Sequence, residues 1–299
     1  MTINLIGMPL FYGCDNPGVE KGPQKLRENN LLNIFEKNHS VYDMGDIEVK
    51  TASADNKFKS NNKMKYLDEV VHANLELANK VYEALESNAT PIVIGGDHSL
   101  ALGSIAGVSK YYGSDELAVV WVDAHGDINT SCTSPSGNIH GMPLAASMNI
   151  GDDSLTTILF EGQKVKPENV FILAARDLDQ GEVDLISKHN LNVWDIKTIR
   201  TKGLDLVIKE FLDKLAKTSV KNLHFSFDID CLDPEYVPGT GTPVEEGLTF
   251  LEGKQIINSI LETKLVKSLD FVEFNPALDK NERTLETCVE LLKVISKGI

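Results

Sequence analysis

Leu117-Ala118-Val119-Val120-Trp121-Val122-Asp123-Ala124-His125-Gly126-Asp127 decides the reading of this chain. Its first half is a continuous apolar run rich in β-branched residues, as in a strand of a parallel sheet with both faces covered by helices. Its second half sets ligand-type side chains at i, i+2 and i+4, which share one face if the segment stays extended. Counting Leu117–Ala124, eight such runs recur; the others are Ile3–Pro9, Val41–Ile47, Pro91–Gly95, Val170–Ala175, Leu191–Ile196, Leu223–Asp230 and Leu265–Phe274. Amphipathic stretches lie between them. In Tyr66–Glu86, residues Leu67, Val70, Val71, Leu75, Leu77, Ala78 and Val81 form an apolar stripe at helical spacing, and Gly181–Lys188, Leu204–Ala216, Leu251–Leu261 and Thr284–Ser296 read the same way. Strand–helix alternation of this length predicts an α/β fold: a mostly parallel sheet of about eight strands with helices on both faces. No linker composition or internal repeat divides the chain, so residues 1–299 are read as a single domain. Thr51–Lys65, rich in Lys and Asn, reads as a surface loop without a function.

Composition narrows the chemistry. Of 299 residues, 42% are hydrophobic and 24% charged, which suits a globular chain with a sizeable core. The formal charge of -15 repels nucleic acid and anionic lipid and steers cationic ligands inward. Cys14, Cys132, Cys231 and Cys288 lie too far apart for a disulfide scaffold or a structural zinc site, which places the protein in a reducing compartment. The N-terminal residues lack the pattern of a secretion signal, and no apolar segment approaches the roughly 18 residues of a membrane span. The expectation is a cytoplasmic protein with no membrane or nucleic-acid partner.

Four polar clusters fall where strands should end, the place where open parallel sheets bind ligands. They are Gly95-Gly96-Asp97-His98-Ser99, Asp123-Ala124-His125-Gly126-Asp127, Asp228-Ile229-Asp230 and Glu273-Phe274-Asn275-Pro276. Taken singly, each also fits a capped turn. Four aspartates and two imidazoles converging in one crevice are harder to explain, because buried carboxylates repel one another unless protons or cations neutralise them. A carboxylate-rich site with a minority of imidazole suits Mn²⁺ or a similar ion, and so many carboxylates suit two ions better than one.

These motifs resemble the signature segments of the arginase/agmatinase (ureohydrolase) family, together with Ser226-Phe227-Asp228-Ile229-Asp230-Cys231-Leu232-Asp233-Pro234. The resemblance runs from Gly18–Pro23 to Glu273–Pro276. It implies a three-layer α/β/α domain, two Mn²⁺ per subunit, a homo-oligomer (trimer or hexamer), and release of urea from a guanidino compound. Within the family, Ser136-Gly137-Asn138-Ile139-His140-Gly141, Arg176–Glu182 and Gly239–Pro243 resemble arginase segments, which implies L-arginine as substrate and L-ornithine as product. Agmatinase, guanidinobutyrase, formimidoylglutamase and a non-catalytic metal-binding homologue are the alternatives; a two-metal phosphoesterase is a further one, without a phosphate-cradling loop to support it.

The resemblance also implies roles. His98, Asp123, Asp127 and Asp228 would hold one ion and His125, Asp123, Asp228 and Asp230 the other, with a bridging hydroxide as nucleophile. Glu273 would pair with the guanidinium, Asp127 would hand a proton to the leaving amine and His140 would shuttle protons. Asn129, Ser136 and Asn138 would meet the α-carboxylate, Asp179 and Glu182 the α-amino group, and Thr242 the guanidinium pocket. Two residues depart from the family pattern: Gly126 stands where many arginases have Thr, and Gln180 where a proline is common.

Overall fold

A computed structural model describes residues 1–299. Eight strands form one sheet: β1 (Thr2–Met8), β2 (Ser40–Asp46), β3 (Thr90–Gly95), β4 (Leu117–Val122), β5 (Val170–Leu173), β6 (Asn192–Trp194), β7 (Asn222–Asp228) and β8 (Val266–Val272). Every pairing is parallel, and the order is β2-β1-β3-β8-β7-β4-β5-β6. The chain first builds outward, with β2 on one side and β4 to β6 on the other. Then β7 and β8 return to fill the gap between β3 and β4. The four central strands β3, β8, β7 and β4 are the four whose carboxyl ends carry the polar clusters.

Period-two alternation sorts the apolar side chains into two cores. Ile3, Leu5, Val120, Phe225, Phe227 and Phe271 pack against the helices Leu204–Leu215, Phe250–Glu262 and Arg283–Gly298. On the other face, Ile6, Met8 and Val93 meet the helix Leu67–Glu86, while Val119, Trp121 and Ile172 meet Ala101–Tyr112 and Pro143–Ser147. This is the three-layer α/β/α arrangement. The second face also buries a polar cluster: His224 lies 2.7 Å from Ser268 Oγ and 3.1 Å from Asp270 Oδ2, to which Ser104 donates at 2.5 Å. No helix is long and apolar enough to cross a membrane.

All eight expected strands are present, with a systematic difference. The expected carboxyl ends of β4, β5, β6, β7 and β8 each overshoot the observed ones by two residues. At β4, β7 and β8 the extra residues are those of the polar clusters, which leave the ladder to aim their side chains. The expected loop Thr51–Lys65 is also more than a solvated connection. Lys65 N–H donates to Gly137 O at 2.9 Å, Met64 is buried, and Lys57 and Lys65 pair with Asp15 at 2.8 and 3.1 Å. That segment therefore braces the 134–138 loop.

Candidate active site

Asp123 is the first residue past β4, and its side chain lies on the same face as Trp121 two residues earlier. Trp121 Nε1–H donates to Asp123 Oδ2 at 3.0 Å, and the indole stacks on the His98 ring at 3.9 Å between centroids. Ser226 has the same relation to Asp228 on β7, and its Oγ lies 2.7 Å from His98 Nε2. An Nε2–H donated there leaves the Nδ1 lone pair of His98 facing three carboxylates. Asp123, Asp228 and Asp127 stand 2.9, 3.1 and 3.3 Å from that nitrogen.

A second group lies alongside. His125 Nδ1 is 3.3 Å from Asp123 Oδ1 and 3.2 Å from Asp230 Oδ2. The ligand atoms of His98, Asp123 and Asp228 lie within 4.8 Å of one another, as do those of Asp123, His125 and Asp230, so the two groups share Asp123.

The convergence does not arise from extended chain, as the i, i+2, i+4 spacing suggested. Asp127 sits at φ 51°, in the left-handed region that few residue types other than glycine, asparagine and aspartate enter readily. Asp228 caps the short turn Ile229–Cys231, accepting Asp230 N–H at 2.8 Å, and this turn brings Asp230 round to His125. Glu273 is also left-handed, at φ 67°. Strained backbone at two candidate catalytic carboxylates is what a site that overrides local preference looks like.

Electrostatics tests whether this donor set fits divalent cations. Burial pushes Asp127 and Asp228 well above the usual carboxylate range, reinforced by neighbouring carboxylates. Burial opposes charge on His98 and His125, yet the surrounding carboxylates outweigh it and raise both. Asp123, held by both imidazoles, is pushed down despite its burial. The cluster therefore carries protons that a cation would displace. His98 Nδ1 is buried with no hydrogen-bond partner, an orphaned atom aimed into a shell of carboxylate oxygens. Hard oxygens with two imidazoles fit divalent cations.

Above the groups opens a cavity of about 120 Å³ lined by sixteen residues, none hydrophobic. His98, His125, Asp127, Asp228, Glu273 and His140 line its floor and wall, and Asn129, Ser136, Asn138, Asp179, Glu182 and Thr242 also line it. Asp123 and Asp230 do not; they lie just behind the two histidines. Glu273 Oε1 accepts His98 N–H at 2.8 Å and lies 3.4 Å from His140 Nδ1, and Glu273 and Asp97 raise His140 against the effect of burial.

Some side chains have local work as well. Glu182 is buried, with Oε2 accepting Asp179 N–H at 2.9 Å and Oε1 accepting Ile128 N–H at 3.1 Å, so it caps the helix Gln180–His189. Burial raises its pKa to about 7. A Cβ at Gly126 would lie 2.9 Å from Glu182 Oε1 and from Leu178 Cδ2, so the missing side chain at Gly126 is what admits Glu182. Asn129 donates to Asp179 at 2.8 Å, Asn138 to Cys14 O at 3.1 Å, and Thr242 to Asp230 Oδ2 at 3.2 Å. Gln180 is exposed and donates to Asp184 at 2.9 Å.

Trp121, Ser226 and Asp97 were not singled out in the sequence. The first two were legible, each standing two residues before a strand-end aspartate on the same face. Asp97, fully buried, accepts Gly13 N–H at 2.9 Å and Cys14 N–H at 3.3 Å. Gly13 O in turn accepts His140 N–H at 3.1 Å, so Asp97 ties the His98 turn to the pocket wall. No local pattern announces that link.

Comparison with known proteins agrees with this geometry. A model described as the arginase family matches residues 1–296. The arginase of Bacillus subtilis (strain 168) is 42% identical over 98% of this chain and 96% of its own length, and that of Bacillus caldovelox 38% identical over 97% and 96%. Among solved structures, an Entamoeba histolytica arginase in complex with L-ornithine superposes with a TM-score of 0.91 at 33% identity, covering 100% of this chain and 99% of that one. With a full-length family match, curated relatives above 30% identity and a buried His/Asp centre at the strand ends, the chain belongs to the arginase family of hydrolases.

Proposed function

We propose that the protein hydrolyses the guanidinium group of L-arginine to L-ornithine and urea, with two Mn²⁺ per chain. His98, Asp123, Asp127 and Asp228 would hold one ion and His125, Asp123, Asp228 and Asp230 the other. When bound, such ions lower the pKa of a water from ~15.7 toward ~7 and so supply a nucleophile at neutral pH. The rest falls to the protein's own side chains.

Planar, delocalised guanidinium is a poor electrophile and must be pinned. Glu273 has one oxygen anchored by His98 N–H, which leaves Oε2 to accept from the substrate's fork. The surrounding negative field favours the cationic substrate and, with no apolar lining, selects nothing by hydrophobic contact. Asn129, Ser136 and Asn138 offer amide and hydroxyl donors for the α-carboxylate at the mouth, and the exposed Asp179 faces the α-amino group, with Glu182 behind it. As water's oxygen bonds to the guanidinium carbon and the bond from that carbon to the substrate's side-chain nitrogen breaks, Asp127 takes the proton that the water gives up and passes it to the leaving amine. His140, part-exposed and beside Glu273, exchanges protons between the pocket and bulk water.

The observation that carries the reading is the pairing of a carboxylate-rich floor with neutral donors at the rim of one cavity. Relatives named arginase, and the L-ornithine held by the Entamoeba histolytica enzyme, support it. We read the enzyme as cytoplasmic, which its sparse cysteines support, and as a homo-oligomer, trimer or hexamer. The test is a substrate panel with Mn²⁺-loaded protein: urea and ornithine form from arginine. Urea from agmatine and none from arginine would overturn the assignment.

A further inference from the structure

Arg176 is a half-buried cation in the segment that follows β5, and none of its hydrogen-bond partners is a carboxylate. Its guanidinium donates instead to main-chain carbonyls of two separate loops. Nη2 meets Asp230 O at 2.8 Å, Leu232 O at 3.2 Å and Val244 O at 2.8 Å; Nη1 meets Cys231 O at 3.2 Å and Nε meets Glu245 O at 3.2 Å. Asp230, Cys231 and Leu232 are consecutive, and they form and follow the turn that carries Asp230 to His125. A flat fork with donors in fixed directions can hold carbonyls of both loops at once, whereas a flexible ammonium with three donors cannot.

The main chain at the same residue holds the opposite wall. Arg176 N–H and Asp177 N–H both donate to Ala124 O, at 2.7 and 3.0 Å. Ala124 lies between Asp123 and His125, and its own N–H donates to Asp230 Oδ1 at 3.2 Å. One residue thus fixes both turns that supply His125 and Asp230, the two ligands that this group does not share with the other. The packing around it is tight: a Cβ at Gly247 would lie 2.5 Å from Asp233 N, 2.6 Å from Leu232 C and 2.7 Å from Arg176 Nη2. The other group is oriented by different residues: His98 through Ser226 and Glu273, Asp123 through Trp121.

We propose that Arg176 is a positioning residue for one of the two cation sites, the Asp123–His125–Asp230 site, and acts through the backbone turns beneath it. This rests on the two-cation reading given above. Its consequence is an asymmetry: loss of the fork loosens one site and leaves the His98 site intact.

The experiment is a calorimetric Mn²⁺ titration of metal-free wild type and Arg176→Lys, with thermal unfolding of both metal-free proteins alongside. Wild type takes up two ions. Arg176→Lys keeps the charge and loses the fork, so one ion should bind as in wild type and the other about 10–100-fold more weakly, as for other groups that orient metal ligands. Unchanged affinity at both sites, or equal weakening of both, overturns the proposal. Fewer than two ions in wild type would overturn the two-cation reading itself, and is seen before any variant is made. Arg176→Gln supplies a second variant if the lysine form does not fold. A cation near the site repels Mn²⁺, so if charge were the residue's only effect the glutamine form would bind the second ion more tightly; weaker binding is expected, and tighter binding overturns the proposal.

Discussion

Glu273 Oε1 accepts the main-chain N–H of His98 at 2.8 Å, which joins the end of β8 to the turn that carries a candidate metal ligand after β3. The two strands are neighbours in the sheet, so the register of the fold sets this contact. The remaining oxygen of Glu273 is free for the substrate. Glu273→Gln keeps the size and the acceptor toward His98 and removes the charge that pairs with a guanidinium. Steady-state kinetics should show kcat/KM for arginine lower by about 100-fold or more, the scale of losing a buried charge-assisted pair. Metal content should stay at the wild-type value; its loss would mean that Glu273 supports the metals rather than the substrate.

His140→Asn tests the proton shuttle. General acid–base partners contribute about 10²–10⁴-fold, so kcat should drop within that range while KM changes little. A variant that loses affinity for arginine and keeps kcat would assign His140 to binding instead.

Ser226→Ala removes the partner of His98 Nε2 without touching a proposed ligand. Mn²⁺ affinity should fall by about 10–100-fold, read by competition with a fluorescent chelator. Unchanged affinity would show that the Trp121 stack alone holds the ring.

Metal removal should change the pH dependence of stability. Burial raises Asp97 to about 6 and Glu182 to about 7, and burial with carboxylate repulsion raises Asp127 and Asp228 well above the ordinary range. An acid with a raised folded pKa stabilises the fold below its unfolded value, and that contribution is lost as pH rises through the folded value. The raised histidines act in the same direction above their ordinary pKa near ~6.5. Between about pH 5 and 8 the metal-free protein should therefore lose thermal stability, while Mn²⁺, by displacing the protons, restores it increasingly. A gap in Tm between loaded and metal-free protein that stays constant across this range would contradict the account.

Gly126→Ala places a methyl group against Glu182 Oε1 and Leu178. Overpacking a tight site costs about 1–3 kcal/mol, measurable as a lower urea midpoint with an unchanged slope. A neutral effect would show that Glu182 can leave its helix cap freely.

Much of this was legible in the sequence, for reasons that differ by element. The buried strands read clearly because a run such as Leu117–Val122 has one explanation in a chain that alternates with amphipathic helices. Their carboxyl ends read less well, because Asp123, Asp230 and Glu273 look like continuations until the chain turns. The turns themselves depend on φ 51° at Asp127, which aspartate tolerates but does not require, and on φ 67° at Glu273, which no preference of glutamate predicts. Long-range partners were hidden for another reason. Asp97 reaches Gly13 across 84 positions and Arg176 reaches Asp230 across 54, contacts that only the assembled sheet creates.

The measurement that bears most directly on the central claim is ornithine formation from arginine by chelator-stripped protein as Mn²⁺ is added back, with bound metal counted in the same samples. Activity should be absent without metal and reach its plateau at two ions per chain, with urea and ornithine formed in equal amounts. Full turnover in the stripped protein, or a plateau reached with one ion or fewer bound per chain, would contradict it.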